Sequence, residues 1–150
     1  MARNNNEGAT VADYMTTRMI TMDGKESVLD IAKRMAERNI SSVAITDEKD
    51  MIIGILTERD VVKIVAKAVP PNGITAGSLM SNPVVSIGKG SSVEDAARVM
   101  AQKKVRHLLV EDPSSRQIMG MVTVTDLARY LRQNLADEEI TASEVWELFF

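Results

Sequence analysis

The chain has 150 residues, of which 45% are hydrophobic and 26% are charged, and its formal net charge is −3. This composition is typical of globular proteins and fits either one compact unit or two small ones. The sequence contains no cysteine, which excludes disulfides, thiolate metal sites and cysteine nucleophiles, and its acidic balance argues against a broad nucleic-acid surface.

The first ten residues, MARNNNEGAT, contain no apolar segment of the kind that a secretory signal has. Because this stretch is polar, we expect residues 1–10 to be disordered. Elsewhere no apolar run approaches the roughly 20 residues that span a bilayer. The sequence therefore predicts a cytoplasmic protein that does not interact with membranes or, given its charge, with nucleic acid.

The rest of the sequence contains an internal repeat. After a shift of 65 residues many identical residues coincide, among them Met15 with Met80, Ser27 with Ser92, Asp30 with Asp95, Met35 with Met100, and Asp47 with Asp112. One extra residue in the second copy then changes the shift to 66, which aligns GILTERD (54–60) with GMVTVTD (120–126). Self-similarity of this kind indicates two copies of one supersecondary unit.

Each copy predicts the same elements in the same order. A short apolar segment precedes a helix whose apolar residues recur at i, i+3, i+4 and i+7, then come two strands joined by a polar turn and a second helix. Each copy is therefore β-α-β-β-α. The predicted elements are 19–22, a helix beginning near Ser27, 42–46, 51–57 and 59–67 in the first copy, and 84–87, a helix beginning near Ser92, 107–111, 118–124 and 125–133 in the second.

Neither copy is large enough to bury a comfortable core alone. We therefore expect an α/β (α+β) fold in which repeat 11–67 and repeat 79–134 pack with pseudo-twofold symmetry. Residues 68–78 are rich in Pro, Gly and Ser and are predicted to be a linker.

Residues 135–150 lie beyond the second repeat and form a C-terminal tail that ends in an apolar tip containing Trp146, Phe149 and Phe150. An exposed aromatic cluster indicates a contact. The tail could fold back on its own repeat, cross to a second subunit or bind a protein partner, and the sequence leaves these alternatives open.

Ten methionines and a group of C-terminal acids are the obvious candidates for metal ligands. The methionines of the repeats occupy apolar positions, which predicts core packing, at Met35, Met100, Met119 and Met121. The acids Asp137, Glu138 and Glu139 lie among small residues and predict a solvated face. We therefore expect no metal site and no cofactor.

The repeated pair of threonine and aspartate permits two compatible interpretations. In the structural one, Thr57 and Thr123 are helix N-caps, and Asp60 and Asp126 complete a pair that resembles a capping box. In the functional one, the same corner binds a ligand, because a helix N-terminus favours anions and a carboxylate can accept two hydrogen bonds from a ribose diol.

The two copies together resemble a tandem pair of CBS domains, the motif named after cystathionine β-synthase. The resemblance rests on GILTERD and GMVTVTD in matching contexts, and on the order and spacing of residues 11–132. It implies a pseudo-symmetric pair of repeats, a homodimer, and clefts between the repeats that bind AMP, ADP, ATP or an adenosyl compound such as S-adenosylmethionine.

By position, the resemblance implies two ligand sites, each combining the Thr-x-x-Asp corner of one copy with strand edges of the other. The first site consists of Thr57, Asp60, Ser81, Asn82, Val85, Val105, Arg106 and His107. The second site consists of Thr123, Thr125, Asp126, Thr16, Thr17, Ile20, Ile40, Ser41 and Ser42.

Within these sites the two aspartates would hold ribose, and the apolar edges at Ile20, Ile40, Val85 and Val105 would flank adenine. The sites should differ, because the pair at 106–107 is basic whereas Ser41 and Ser42 are uncharged. Many family members have a proline in the second strand of each repeat, where this chain has Ala44 and Leu109.

We therefore expect a regulatory sensor that binds its ligand without turning it over and signals through a dimer or a partner protein. One alternative is a dimeric scaffold with empty clefts. A small enzyme is the other, and it is disfavoured because the chain has a single histidine, no cysteine and no Ser-His-Asp constellation that the sequence can specify.

Overall fold

The computed structural model describes residues 8–81 and 84–134. This part of the chain contains six strands and six α-helices. In chain order they are α1 (Val11–Tyr14), β1 (Thr21–Asp23), α2 (Val28–Arg38), β2 (Ser42–Thr46), β3 (Ile52–Thr57), α3 (Glu58–Ala66), α4 (Ala76–Leu79), β4 (Ser86–Gly88), α5 (Val93–Lys103), β5 (His107–Glu111), β6 (Ile118–Thr123) and α6 (Val124–Asn134).

The chain forms two compact units. Of the described residues, 19–81 and Val84 form one unit, and 8–18 together with 85–134 form the other. Each unit contains a three-stranded sheet, in the order β1-β2-β3 or β4-β5-β6, whose first pair is parallel and whose second pair is antiparallel. The mixed α/β class and the β-α-β-β-α order of each copy are thereby confirmed.

The two sheets have the same register, although the turn between the second and third strands is one residue longer in the second copy. Ile45 pairs with Gly54 and Val110 pairs with Gly120, and in both sheets the register shifts immediately afterwards. The insertion is thus confined to the turn, and the ladder leading to the end of each third strand is unchanged.

The long helices α2 and α5 begin as their sequences predict. The hydroxyls of Ser27 and Ser92 accept hydrogen bonds from the backbone N–H groups of Asp30 (3.1 Å) and Asp95 (3.0 Å), which satisfies one unpaired donor of each first turn. The predicted apolar stripes face the two cores, which consist of Met22, Val28, Ile31, Met35, Val43, Ile45, Leu56, Ile64 and Ala76 in one unit, and Val11, Ile87, Val93, Ala96, Met100, Leu108, Val110, Val122 and Leu127 in the other.

One predicted core residue is not in the core. Met35, Met100 and Met121 are buried, but 38% of Met119 is exposed. Glu111 pairs with Ile118 and Val110 pairs with Gly120, so Met119 is the unpaired residue of a β-bulge. A bulge redirects the side chain of its extra residue, which explains why the apolar pattern of this strand predicted burial incorrectly.

The opening segment of each copy pairs with the sheet of the other copy. Thr16 forms a bridge to Met121, and Ser81 forms the corresponding bridge to Ile55. Helix α1 therefore belongs to the unit built around β4-β5-β6, whereas α4 belongs to the unit built around β1-β2-β3.

The predicted linker and the end of the N-terminal segment both contain regular backbone interactions. The predicted linker 68–78 includes a short 3₁₀ helix (Pro71–Gly73) and the start of α4, where Ala76 is fully buried. Near the N-terminus, the carbonyl of Ala9 accepts a hydrogen bond from Val93 and Thr10 pairs with Ser92, so the expectation of disorder was wrong for these residues. The rest of that segment (1–7) and the tail 135–150 lie outside the described residues.

Within the described part of the chain, no helix is long and apolar enough to cross a lipid bilayer.

The repeated glycine of the motif lies where another segment crosses the third strand. A Cβ built on Gly120 would lie 2.6 Å from the carbonyl oxygen of Thr16, and one built on Gly54 would collide with the side chain of Met80. At Gly120 glycine is required because the crossing backbone approaches the strand too closely for a side chain, whereas at Gly54 the obstacle is the side chain of Met80.

We predict that Gly120→Ala destabilises the protein more than Gly54→Ala. At position 120 the obstacle is backbone that is fixed by two hydrogen bonds to Met121, whereas at position 54 it is a methionine side chain that can change rotamer. Overpacking typically costs about 1–3 kcal/mol, and we expect the two variants near opposite ends of that range. Urea unfolding followed by circular dichroism measures both, with Gly73→Ala, where nothing lies within 4 Å of the added Cβ, as the control.

Candidate functional site

In the unit 19–84, the candidate site is the corner where β3 ends and α3 begins. Thr57 is the N-cap of α3, and Asp60 is its third helical residue. One carboxylate oxygen of Asp60, Oδ2, accepts hydrogen bonds from the backbone N–H (2.9 Å) and the hydroxyl (3.0 Å) of Thr57. The N–H of Asp60 in turn donates to Thr57 Oγ1 at 3.4 Å. The predicted capping pair is therefore confirmed, with Asp in the position that Glu usually occupies.

The second copy builds the same corner between β6 and α6. Asp126 Oδ2 accepts from the N–H (2.9 Å) and the hydroxyl (3.1 Å) of Thr123, and the N–H of Asp126 donates to Thr123 Oγ1 at 3.3 Å. The corresponding distances in the two corners agree to within 0.1 Å. The repeated motif thus encodes one local geometry twice.

The two corners differ in the second carboxylate oxygen. Asp126 Oδ1 accepts a hydrogen bond from the guanidinium of Arg129 at 2.9 Å, and Asp126 is buried, with 6% of its surface exposed. Asp60 is half-buried, and no group in the described ranges 8–81 and 84–134 donates to its Oδ1. Asp60 can therefore offer Oδ1 to a ligand, whereas Oδ1 of Asp126 is already bonded to Arg129.

The unit 19–84 brings several predicted site residues next to the Thr57–Asp60 corner. Ser42 lies opposite Thr57 in the ladder, and the carbonyl of Ser41 accepts a hydrogen bond from the N–H of Glu58 at 3.0 Å. Ser81 reaches the same strand through its bridge to Ile55. Ile20 and Ile40 are half-buried and pack against the core of this unit, and Ile20 leads into β1.

The other unit groups the corresponding residues of the second copy. His107 lies opposite Thr123, and the carbonyl of Arg106 accepts a hydrogen bond from the N–H of Val124 at 3.1 Å, so both residues adjoin the second corner along the backbone. The remaining predicted residues of this unit are Thr16, which pairs with Met121, the half-buried Val85 and Val105, which pack on the core, and the exposed Thr17 and Thr125.

Each of the two predicted sites draws on residues of both units, whereas the contacts described above are formed within one unit. The combination of corner and strand edge into complete sites therefore stays a prediction. Asn82 lies outside the described residues.

Two residues near the second corner were missed by the sequence analysis. The guanidinium of Arg129 also donates to the backbone carbonyl of Tyr14 at 3.1 Å, which links the corner to α1. A signal for Arg129 exists in the sequence, because Asp-x-x-Arg places opposite charges on neighbouring turns of a helix. The first copy has Lys63 at this position. No signal pointed to Tyr14, which is more than a hundred residues away in the sequence.

Acidic and histidine side chains do not form a metal centre in the described part of the chain, where no group of three or more of them has a suitable arrangement. The first turn of α3 contains two acids, Glu58 and Asp60, and the first turn of α6 contains Asp126.

Comparison with known proteins agrees with the fold and with the internal repeat. A model of the CBS domain family matches residues 11–67 and again residues 76–133. An uncharacterised protein of Methanopyrus kandleri is 34% identical over 133 residues, which cover 86% of this chain and 67% of that protein.

Two solved structures of similar fold contain ligands. The CBS domain pair of protein MJ0100, in complex with 5′-methylthioadenosine and S-adenosyl-L-methionine, is 26% identical with a TM-score of 0.74, and the match covers 84% of this chain and 98% of that one. CBSX2 in complex with AMP is 25% identical with a TM-score of 0.68, and the match again covers 84% and 98%. Two family matches that together span most of the sequence, on two units of one topology, establish that this chain belongs to the CBS domain family.

Proposed function

We propose that this protein is a regulatory module that binds an adenine nucleotide or a related adenosyl compound without converting it, and that its output passes through a homodimer or a partner protein. The observation that carries the proposal is the Thr57–Asp60 corner, where a carboxylate oxygen that accepts no hydrogen bond from residues 8–81 or 84–134 lies at a helix N-terminus. The adenosyl ligands of the two structural relatives support the choice of ligand class.

The corner suits a ribose because its two carboxylate oxygens have separate tasks. Asp60 Oδ2 closes the capping box, which fixes the direction of the carboxylate. An ionised carboxylate has about four lone-pair positions, and both of those on Oδ1 are available to accept hydrogen bonds from a diol. Because the acceptor is charged, such bonds are stronger than those between neutral groups.

A phosphate would be held by different groups. The N-terminal end of α3 favours negative charge, and Arg106 offers an exposed guanidinium that can bind two phosphate oxygens at once. The corresponding position of the first copy is Ser41, which is neutral. Selectivity among adenosine, its phosphates and S-adenosylmethionine would therefore depend on how Arg106 approaches the ligand.

The two alternative functions make different demands. Catalysis would require a nucleophile or an acid–base pair, and the sequence offers no cysteine and one histidine. A scaffold would have no use for the second carboxylate oxygen of Asp60, which accepts no hydrogen bond from the described residues. Binding without turnover is the role that uses the residues present.

We predict that adenosine, AMP, ADP, ATP, S-adenosylmethionine or 5′-methylthioadenosine raises the unfolding temperature of the protein. A ligand at 100 times its Kd adds about 2.7 kcal/mol to the free energy of unfolding. For a chain of this size that corresponds to a shift of roughly 4–10 °C in differential scanning fluorimetry. Chromatography of the same mixtures after prolonged incubation should return the ligand unchanged. If none of these ligands changes the unfolding temperature, the scaffold function is favoured. If chromatography shows that a ligand has been chemically altered, the protein is an enzyme.

The role of the aspartates is tested by the double variant Asp60→Asn and Asp126→Asn. Asn keeps the shape and can still accept the N–H of the threonine, so the cap survives while the charge is lost. Losing a charged acceptor is worth about 1.5–3 kcal/mol, and we therefore expect isothermal titration to show binding about 10- to 150-fold weaker. Asp30→Asn, an exposed acid on α2, is the control for the change in charge. Affinity equal to that of the parent would leave the aspartates with the capping role alone.

A second variant addresses phosphate recognition. Arg106→Ala should weaken ADP and ATP binding by about tenfold, since one charged hydrogen-bonding partner is lost, and should leave adenosine binding unchanged. Lys103→Ala removes the same charge from an exposed position on α5 and serves as the control. If the variant discriminates between ATP and adenosine as strongly as the parent does, phosphate is held by other groups.

A further inference from the structure

The two Thr-x-x-Asp corners have the same backbone but different numbers of free acceptor positions. In both corners Oδ2 of the aspartate receives two hydrogen bonds from the threonine. In the second corner Oδ1 receives a third, from Arg129. Of the four lone-pair positions of a carboxylate, the half-buried Asp60 keeps two, both on Oδ1, and the buried Asp126 keeps one. A ribose diol needs two.

Arg129 is held in this position by α1. The nitrogen Nη2 that donates to Asp126 also donates to the carbonyl of Tyr14. The ring of Tyr14 packs edge-to-face on Tyr130, with ring centroids 5.2 Å apart, and its hydroxyl donates to Gln133 at 3.1 Å. Tyr14 of α1 thus contacts three residues of α6, and these contacts hold the guanidinium of Arg129 beside the carboxylate of Asp126.

The first copy lacks each part of this arrangement. Lys63 occupies the position of Arg129, and Leu79 occupies that of Tyr14. A lysine ammonium is a compact charge on a flexible stem, whereas arginine presents a rigid, planar guanidinium. Among the contacts of the described residues, Lys63 makes no ion pair with Asp60. The repeat has thus kept the cap in both copies and has added an ion pair to one of them.

We propose that Arg129 is a specificity-determining residue that closes the second corner, so that each chain binds one adenosyl ligand, at the Thr57–Asp60 corner. The inference rests on the proposed function and adds to it the choice of corner. A ribose that approached Asp126 would have to displace a guanidinium that is paired with a buried carboxylate and tied to α1. A ribose that approaches Asp60 Oδ1 meets no donor from the described residues that it would have to displace.

Isothermal titration of the full chain with AMP and with S-adenosylmethionine tests the proposal through its stoichiometry. The parent should bind one ligand per chain, and Asp60→Asn should weaken that binding at least tenfold. Arg129→Lys gives the second copy the residue of the first and releases Asp126 Oδ1, so it should bind two ligands per chain, with the affinity of the first site changed less than twofold. Adding Asp126→Asn to Arg129→Lys should return the stoichiometry to one.

The matched control is Arg98→Lys. Arg98 on α5 forms an ion pair of the same spacing with Asp95, at 2.6 Å, and neither residue is part of a Thr-x-x-Asp corner. Its replacement should leave the stoichiometry at one. Cooperative thermal unfolding of each variant verifies that it is folded.

A reciprocal variant keeps the test decisive if Arg129→Lys does not fold. Lys63→Arg places a guanidinium three positions after Asp60, as in the second copy. It should weaken ligand binding at least fivefold, since the new guanidinium competes with the ligand for Asp60 Oδ1. A parent that binds two ligands with equal affinity, a folded Arg129→Lys variant that still binds one, or a Lys63→Arg variant with parental affinity would each overturn the role of Arg129 while leaving the proposed function intact. A parent that binds neither ligand would overturn both.

Discussion

A single carboxylate oxygen in each repeat holds a strand and a helix at a fixed angle. Oδ2 of the aspartate receives the N–H and the hydroxyl of the threonine that ends the strand, and the threonine receives the N–H of the aspartate in return. The helix N-terminus is capped without help from a distant residue. Because these bonds span only three positions, the corner is retained wherever the local sequence is retained.

The duplication shows which interactions can diverge after a repeat is copied. Sheet order, register, bulge and cap are the same in both copies. The residue three positions after the aspartate differs between the copies. It is Lys63 in the first copy and Arg129 in the second, and Arg129 gives its corner an additional ion pair. Function can therefore become asymmetric through side chains while the backbone of the fold stays duplicated.

Several features could be predicted because they depend on neighbouring residues. Ser27 and Ser92 were expected near helix starts and are N-caps, and the strands 42–46 and 107–111 have the bounds that their apolar runs indicated. Met119 was predicted to be buried and is exposed, since periodicity assumes a regular ladder and this residue lies in a bulge. The order of Ala9 and Thr10 was missed because their partners, Ser92 and Val93, lie far along the chain.

The sequence by itself determined the two repeats, their β-α-β-β-α order, the capped corners and the membership of the CBS domain family, since all of these follow from local patterns that occur twice. Only the tertiary structure decided which unit each opening segment joins and what lies over each aspartate. Thr16 pairs with Met121, and Arg129 binds the carbonyl of Tyr14, 115 positions away. Contacts over such separations depend on how the elements pack, and a local pattern contains no information about its distant neighbour.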